Sequence, residues 1–207
     1  DLRATNAEYL DDGWRFAINS NRLIKIKLLG RHNIYNALAA ICVAELLGLE
    51  YGSIASLLLS FSAPPMRMQV IQAAGVTIIN DSYNSNPKSM DSAIGVLSNF
   101  NTKGRKILVS GDMLELGEQS GYFHRQIGAA VANAKIDIFI AVGPMSKLAL
   151  DSAVQSGKIS DSVWHCADSL EAGRLLLKIV KPNDTVLIKG SRGMKMEKAC
   201  STICSIR

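Results

Sequence analysis

The chain has 207 residues, of which 48% are hydrophobic and 20% charged, so it can bury a substantial core in one large or two small domains. Its formal net charge is +5, but the basic residues are scattered and only 6% of residues are aromatic, which argues against a nucleic-acid partner. No apolar run is long enough to span a bilayer, and the four cysteines lack metal-binding spacing, so we expect a cytoplasmic protein with reduced thiols and no metal site of its own.

The first part of the chain predicts a hairpin followed by two helices. Segments 14–18 and 23–29 alternate between apolar and polar residues on either side of an Asn-Ser-Asn turn, which is typical of a hairpin. The almost wholly apolar segment 33–47 predicts a helix that is buried nearly all round. Residues 51–61 predict a second, short helix.

Two polar residues near the start of the first helix are candidate ligand contacts. Asn33 and Asn36 are three residues apart and therefore share one helix face. Their amides either hydrogen-bond a purine edge, since each offers a donor and an acceptor, or cap the helix. The spacing favours neither. His32 beside them is a cap, a structural donor or a ligand contact.

The segment Ser62-Ala63-Pro64-Pro65 marks a domain boundary, because consecutive prolines favour extended backbone and stop a helix. We therefore expect domains at residues 1–63 and 64–207. Arg67 follows the boundary at once. A guanidinium at a domain junction is either a phosphate clamp or the partner of a surface carboxylate.

From Met68 onwards, predicted strands and helices alternate. The strands are expected at 76–80, 105–110, 136–142, 163–165 and 185–189, and the helices at 87–99, 119–134, 144–155, 169–180 and 193–204. This alternation predicts an α/β fold with a doubly wound, mostly parallel, Rossmann-like sheet.

Three of these strands end in polar or glycine-containing loops, at residues 80–85, 110–117 and 189–193. The loops should meet at one edge of the sheet, where α/β proteins bind ligands. The first loop has more polar side chains than a connection needs, although an ordinary Asx-rich turn is the alternative. It ends at Asn86, a predicted N-cap, with Pro87 at the first helical position.

Charged residues in the other two loops suggest further ligand contacts. Lys189 and Arg192 precede a predicted helix start, and together they would form a carboxylate or phosphate site. Asp112, Glu115 and Glu118 surround the middle loop. One of them could accept a proton from an ammonium group, or they cap a helix.

Two common nucleotide-binding motifs are absent from the sequence. There is no GxGxxG, the fingerprint of dinucleotide-binding domains. There is no GxxxxGK[ST] either, because the only Gly-Lys pair, at 157–158, is followed by Ile159. The chain therefore carries no Walker A loop to hold a triphosphate.

Taken together, the motifs resemble the C-terminal half of the Mur ligase family, in the family's order and over most of the chain. They are Gly30-Arg31-His32-Asn33-Ile34-Tyr35-Asn36-Ala37-Leu38-Ala39-Ala40, Arg67, the segment from Asn80 to Met90, Gly111-Asp112-Met113-Leu114-Glu115-Leu116-Gly117 with the later His124, and Lys189-Gly190-Ser191-Arg192-Gly193-Met194. The first and last of the three loops, with Tyr83-Asn84-Ser85-Asn86-Pro87 and Lys189-Gly190-Ser191-Arg192-Gly193, are most similar to those of members that add D-alanyl-D-alanine to UDP-N-acetylmuramoyl-tripeptide.

This resemblance implies an ATP-dependent ligase of peptidoglycan precursor synthesis. ATP, with Mg2+, would phosphorylate the terminal carboxylate of UDP-N-acetylmuramoyl-tripeptide, and the amine of D-alanyl-D-alanine would attack the acyl phosphate. Such a site needs neutralised phosphate charge and a well-placed amine. The resemblance also implies a monomer without a nucleic-acid partner.

By motif position, the resemblance assigns residues to two ligands. The nucleotide would be bound by His32, Asn33, Asn36, Arg67 and Asp81, with the amides near adenine, Arg67 at the phosphates and Asp81 at the ribose. The dipeptide would be bound by Tyr83, Asn84, Asn86, Ser191 and Arg192.

The chain departs from the family in its extent. Mur ligases have three domains, and here the first domain and the front of the central ATPase domain are absent, including the Walker A loop, the magnesium ligands and the modified lysine. Residues 1–63 resemble the end of the ATPase domain, and residues 64–207 resemble the third domain. We expect no catalysis by this chain alone and assign no catalytic residue to it. The alternatives are a stand-alone nucleotide- or peptide-binding module, another Mur ligase or a folylpolyglutamate synthetase.

Overall fold

The computed structural model describes residues 1–10, 12–158 and 160–205. The chain divides into two compact units, Asp1–Pro64 and Pro65–Arg207, with the division between the two consecutive prolines.

The first unit is a three-stranded antiparallel sheet with two helices. Its elements are β1 (Ala4–Leu10), β2 (Gly13–Ile18), β3 (Arg22–Ile26), α1 (His32–Leu46) and α2 (Tyr51–Ser60). The predicted hairpin is the β2–β3 pair. β1 pairs with the other edge of β2, so β2 is the central strand of the sheet. The sheet contributes Phe16 and Ile24 to a core that also contains Ile41 of α1 and Ile54 of α2.

The prediction that α1 is buried nearly all round is wrong. Within the helix only Ile34, Ala37 and Ile41 are buried, and these lie three or four residues apart on one face. The opposite face leaves Val43 and Leu46 exposed. The reason is physical: a single small sheet can cover only one stripe of a helix, whatever the composition of the rest.

The second unit contains a six-stranded sheet flanked by helices. Its strands are β4 (Gln69–Ala73), β5 (Val76–Asp81), β6 (Lys106–Gly111), β7 (Ile138–Val142), β8 (Val163–Cys166) and β9 (Thr185–Lys189). Its helices are α3 (Pro87–Asn99), α4 (Ser120–Asn133), α5 (Ser146–Gln155), α6 (Ser169–Ile179) and α7 (Glu197–Cys204). Ile107 and Val109 of β6 join a core cluster with α6 and α7, whereas the intervening Leu108 points to the other face.

The strand order is β4-β5-β9-β6-β7-β8, and all neighbours are parallel except β4 and β5. This arrangement confirms the predicted α/β class with its mostly parallel sheet. The antiparallel edge strand β4 was not predicted. It is joined to β5 by a tight turn in which Ala74 and Gly75 have φ of 48° and 76°. Such a turn suits a hairpin, but alanine gives little sequence signal for it.

Two helix starts next to the polar loops differ in how well they were predicted. Asn86 caps α3 as expected: its side chain accepts the Ser89 N–H at 2.8 Å, and Ser89 Oγ accepts the Asn86 N–H at 3.0 Å. In contrast, the last helix does not begin at Gly193. A 3-10 turn at Arg192–Met194 and a left-handed Lys195 with φ of 51° come first, so α7 begins at Glu197.

Candidate ligand-binding site at the carboxyl edge of the sheet

The three polar loops meet at one edge of the sheet, as predicted, because β5, β9 and β6 are adjacent and parallel. Ser191 links them. Its Oγ accepts the Leu114 N–H at 2.8 Å and donates to the Ser85 carbonyl at 3.3 Å, and its own N–H donates to the Asp112 carbonyl at 3.0 Å. Ser191 is buried, so its hydroxyl holds the loops together and faces them, not the solvent.

Glycines allow the loops after β6 and β9 to approach closely. A Cβ on Gly190 would lie 3.1 Å from the Cα of Gly111 and 2.7 Å from Cγ of Met196. Real side chains rarely pack that tightly, so any other residue at Gly190 would push the two loops apart.

A buried ion pair joins the ends of β9 and β5. Lys189 Nζ lies 2.7 Å from Asp81 Oδ2 and donates to the Asn84 carbonyl at 2.9 Å. Asp81 Oδ1 also accepts the Met68 N–H at 3.1 Å. The interpretation of Lys189 as part of an anion site therefore fails, because its ammonium group is buried and already bound inside the protein.

Arg67 lies over the ring of Tyr83, with the guanidinium carbon 3.9 Å from the ring centroid. The neighbours of Arg67, Met66 and Met68, have φ of 61° and 51°. The Met66 carbonyl accepts the Tyr83 N–H at 3.1 Å, which fixes this segment against the loop after β5. Arg67 and Tyr83 are both exposed, and Arg67 forms no ion pair in the described part of the chain.

Arg192 also contacts Met66. Its Nη1 is 3.4 Å from Met66 Sδ, and its Nη2 is 3.4 Å from Glu197 Oε1. The side chain is more than half exposed, so much of this guanidinium faces solvent. The structure thus brings the side chains of Arg67, Tyr83 and Arg192 to one region around Met66, where two cations can attract an anion.

The amides of the loop after β5 serve the backbone. Asn84 Oδ1 accepts the Ser85 N–H at 2.8 Å, and Asn86 Oδ1 caps α3. Both residues remain exposed, so contacts with a ligand are sterically open to them. Asn80, which precedes the last residue of β5, is buried, and its Oδ1 accepts the Ser82 hydroxyl at 2.7 Å.

In the middle loop, Asp112 is a capping residue. It is buried, and its carboxylate accepts the N–H groups of Ser146 at 2.6 Å and Met145 at 3.2 Å, at the start of α5. Glu115 and Glu118 are exposed, and Glu115 is held in the left-handed region with φ of 63°.

His124 supports the middle loop from beneath. Its Nε2 lies 3.0 Å from the Met113 N–H and must accept it, so Nδ1 carries the proton and donates to the Ser120 carbonyl at 2.7 Å. The imidazole is buried, and both nitrogens are used. The sequence showed that this histidine follows the third motif, as it does in the family. The hydrogen bonds to Met113 and Ser120 could not be predicted from that position.

The remaining predicted nucleotide residues lie in the first unit. Asn36 Nδ2 donates to Asn33 Oδ1 at 2.9 Å, and Asn33 Nδ2 donates to the Leu29 carbonyl at 2.6 Å. Neither amide caps α1, which has no side-chain cap. A Cβ on Gly30, whose φ is 85°, would lie 2.5 Å from the His32 ring, so glycine makes room for that imidazole.

Among the described residues, no group of three His, Cys, Asp or Glu side chains could hold a metal ion. All four cysteines are free thiols. Within the described ranges no helix has the length and apolar character needed to cross a membrane.

A mostly parallel α/β domain with polar loops and exposed arginines at the carboxyl edge of its strands has the architecture in which α/β proteins hold their ligands at that edge. The chain belongs to the Mur ligase family, because the model of the Mur ligase, glutamate ligase domain matches residues 66–192. The predicted family is thereby confirmed.

Similar proteins agree with this assignment. The chain is 34% identical to the UDP-N-acetylmuramoyl-tripeptide--D-alanyl-D-alanine ligase of Bacillus subtilis (strain 168), covering 96% of this chain and 44% of that protein. It is 36% identical to the protein of the same name from Escherichia coli (strain K12), covering 96% and 43%. A crystal structure of MurF from Acinetobacter baumannii superposes with a TM-score of 0.89 at 30% identity, covering 99% of this chain and 45% of that one. The chain thus spans less than half the length of these proteins.

Proposed function

We propose that this chain is the C-terminal part of an ATP-dependent ligase that joins D-alanyl-D-alanine to UDP-N-acetylmuramoyl-tripeptide. The observation that carries the proposal is the 34% and 36% identity to two proteins of that name along 96% of this chain. The enzyme would act as a monomer in the cytoplasm, where ATP and nucleotide-linked precursors are available.

The proposed reaction has two steps. The γ-phosphoryl group of ATP passes to the terminal carboxylate of the tripeptide, which gives an acyl phosphate and ADP. The amine of D-alanyl-D-alanine then attacks the acyl carbon, loses a proton, and the tetrahedral intermediate expels phosphate to leave an amide. Both steps require charge neutralisation and alignment.

The geometry supports different kinds of role for the predicted site residues. Arg67 and Arg192 have exposed guanidiniums, which suit the phosphates of ATP and the carboxylate of the dipeptide respectively. The exposed Tyr83 and Asn84 would line the dipeptide pocket. Asp81 would meet the ribose through the lone pairs that Lys189 and Met68 leave unused.

Two other predicted residues would act on the shape of the pocket. The hydroxyl of Ser191 is already bonded to the loops after β5 and β6, and the amide oxygen of Asn86 caps α3.

In the first unit, Asn33 and Asn36 present a mutually bonded amide pair that would face adenine, with His32 beside it.

The first unit would be the end of the central ATP-binding domain. Its support is a set of large apolar side chains that are exposed on α1 and α2 and just after α2: Val43, Leu46, Leu57 and Phe61. An apolar surface of this kind marks a protein contact, here with the preceding part of the same domain. The magnesium ligands that the family resemblance implies would also lie in that part.

The test is a ligase assay on the protein encoded by the complete gene. UDP-N-acetylmuramoyl-tripeptide, D-alanyl-D-alanine and ATP should yield the pentapeptide product with equimolar ADP and phosphate, and the purified 207-residue chain should yield none. If the gene encodes no Walker A loop upstream and the chain binds ADP or the dipeptide without turnover, the binding-module alternative replaces the ligase. A ligase rate from the 207-residue chain alone would also overturn the proposed division of labour.

A further inference from the structure

We infer that Tyr83 is a positioning residue for Arg67: the face of its ring holds the guanidinium that meets the nucleotide phosphates. The inference rests on the proposed function and adds to it, since the sequence assigned Tyr83 to the dipeptide only. It separates two roles within one side chain. The ring would serve nucleotide binding, and the hydroxyl would serve the dipeptide.

The first support is the short distance between the guanidinium and the ring. The guanidinium carbon lies 3.9 Å from the ring centroid, well inside the range of about 6 Å in which a cation is attracted to an aromatic face. A cation–π contact uses the ring face and engages none of the guanidinium N–H groups in a conventional hydrogen bond with an oxygen. They remain available for the bidentate contacts that phosphate oxygens prefer.

The second support is the backbone that carries Arg67. Met66 and Met68, on either side of it, both adopt the left-handed conformation, with φ of 61° and 51°. Residues other than glycine rarely do so, and contacts must maintain them there. The Met66 carbonyl accepts the Tyr83 N–H at 3.1 Å, and the Met68 N–H donates to Asp81 Oδ1 at 3.1 Å. The segment is thus fixed to the loop that carries Tyr83.

The third support is a contrast between the two arginines of this region. Arg192 has a carboxylate partner, Glu197, at 3.4 Å, whereas Arg67 has no carboxylate partner among the described residues. The alternative that the sequence left open, an ion pair between Arg67 and a surface carboxylate, is therefore not found among the described residues. Holding an unpaired guanidinium in one orientation before the ligand arrives reduces the side-chain entropy lost on binding.

The experiment is a double-mutant cycle in the complete ligase. Tyr83→Leu should raise the KM for ATP about three- to tenfold, because a partly exposed cation–π contact is lost. Tyr83→Phe keeps the ring, so its KM for ATP should stay within about twofold of the wild-type value, whereas its KM for D-alanyl-D-alanine should rise because the hydroxyl is lost. In an Arg67→Ala background, Tyr83→Leu should cause no further rise. Tyr122→Leu is the matched control, because Tyr122 is exposed on α4 and its recorded ring partner is Phe123, not an arginine.

The outcomes separate the inference from the proposed function. If Tyr83→Leu raises only the KM for D-alanyl-D-alanine, or if its effect on ATP is the same with and without Arg67, the inference is wrong. If the wild type shows no ligase activity, the proposed function is wrong, and titration of the same variants with ADP decides the inference through the same cycle. A wild type that binds no ADP refutes both. Thermal unfolding of each variant identifies any loss that is due to misfolding.

Discussion

The ammonium group of Lys189 lies 2.7 Å from the carboxylate of Asp81, and these side chains are only 3% and 13% exposed. The pair joins the carboxyl ends of two neighbouring strands, β9 and β5. Because Lys189 also donates to the Asn84 carbonyl, it fixes the loop that carries the proposed dipeptide residues. Lys189 therefore shapes this loop through contacts within the protein.

Lys189→Met should destabilise the protein by about 3 to 5 kcal/mol, because it leaves a largely buried carboxylate without its partner. Chemical denaturation measures this change. The matched control is Lys147→Met, which removes an ion pair with Asp151 whose side chains are both 46% exposed. The control should cost less than about 1 kcal/mol. Equal losses in the two variants would mean that the buried pair contributes no more than a surface pair.

Ser191→Ala should loosen the contact between the loops after β9 and β6. The change removes the acceptor of the Leu114 N–H, and we expect that amide to exchange its hydrogen with solvent about tenfold faster or more, the effect of losing about 1.4 kcal/mol of protection. Hydrogen exchange followed by NMR gives the rate at this single amide. Ser201→Ala removes an exposed hydroxyl that bonds within α7 and serves as control. Unchanged exchange at Leu114 in Ser191→Ala would contradict the linking role.

Asn86→Ala should destabilise the protein by about 1 kcal/mol, because α3 loses its N-cap and one half of its capping box. Asn86→Ser retains a capping oxygen and should be nearly as stable as the wild type. The serine variant also separates two roles. A stable Asn86→Ser protein with a normal KM for D-alanyl-D-alanine would mean that the amide caps α3 and does not bind the dipeptide.

Local sequence was enough to predict much of the second unit. The start of α3 follows from Asn86 and Pro87, since capping depends on adjacent residues. The buried strands follow from short apolar runs, and their parallel arrangement brings the three loops together. The late start of α7 escaped prediction because it depends on the left-handed Lys195, a residue type with no preference for that conformation.

Contacts between distant residues could not be predicted from the sequence. Lys189 and Asp81 are 108 positions apart, and Ser191 and Leu114 are 77 apart, so no spacing rule connects them. Polar residues at a sheet edge therefore suggested ligand contacts wherever they occurred. The structure shows that Lys189 and Asp112 instead satisfy buried backbone or side-chain groups, which a folded protein must do before any ligand arrives.

Asp184 should make the stability depend on pH in the acidic range. Burial alone would raise its pKa, but hydrogen bonds from the side chain and backbone of Arg105, and from the Lys181 N–H, outweigh it and hold the pKa below its usual value. The stabilisation is therefore complete above the unfolded pKa of about 4 and is lost as the pH falls through the lower folded pKa. Asp184→Asn should be less stable than the wild type by about 1 to 3 kcal/mol at pH 7.

Urea unfolding at a series of pH values tests this expectation. The difference in unfolding free energy between the wild type and Asp184→Asn should begin to shrink below about pH 4 and be lost as the pH falls through the lower folded pKa of Asp184, where both proteins carry a neutral group at this position. A difference that stays constant down to the lowest pH would show that the negative charge of Asp184 does not contribute to the free energy of unfolding.

The four thiols should differ sharply in their reactivity in the folded 207-residue chain. Burial raises the pKa of Cys166 to about 11 and that of Cys200 to about 12, with nearby acidic groups and Cys204 adding to the respective effects. Cys42 is exposed on α1. Because the thiolate is the reactive form and an ordinary cysteine has a pKa of about 8.5, iodoacetamide at pH 8 should label Cys42 at least about 100-fold faster than Cys166 or Cys200.

Peptide mass spectrometry over time measures the three rates, and labelling in denaturant should make them nearly equal. Rapid labelling of Cys200 in the native chain would mean that α7 does not pack against the sheet as described.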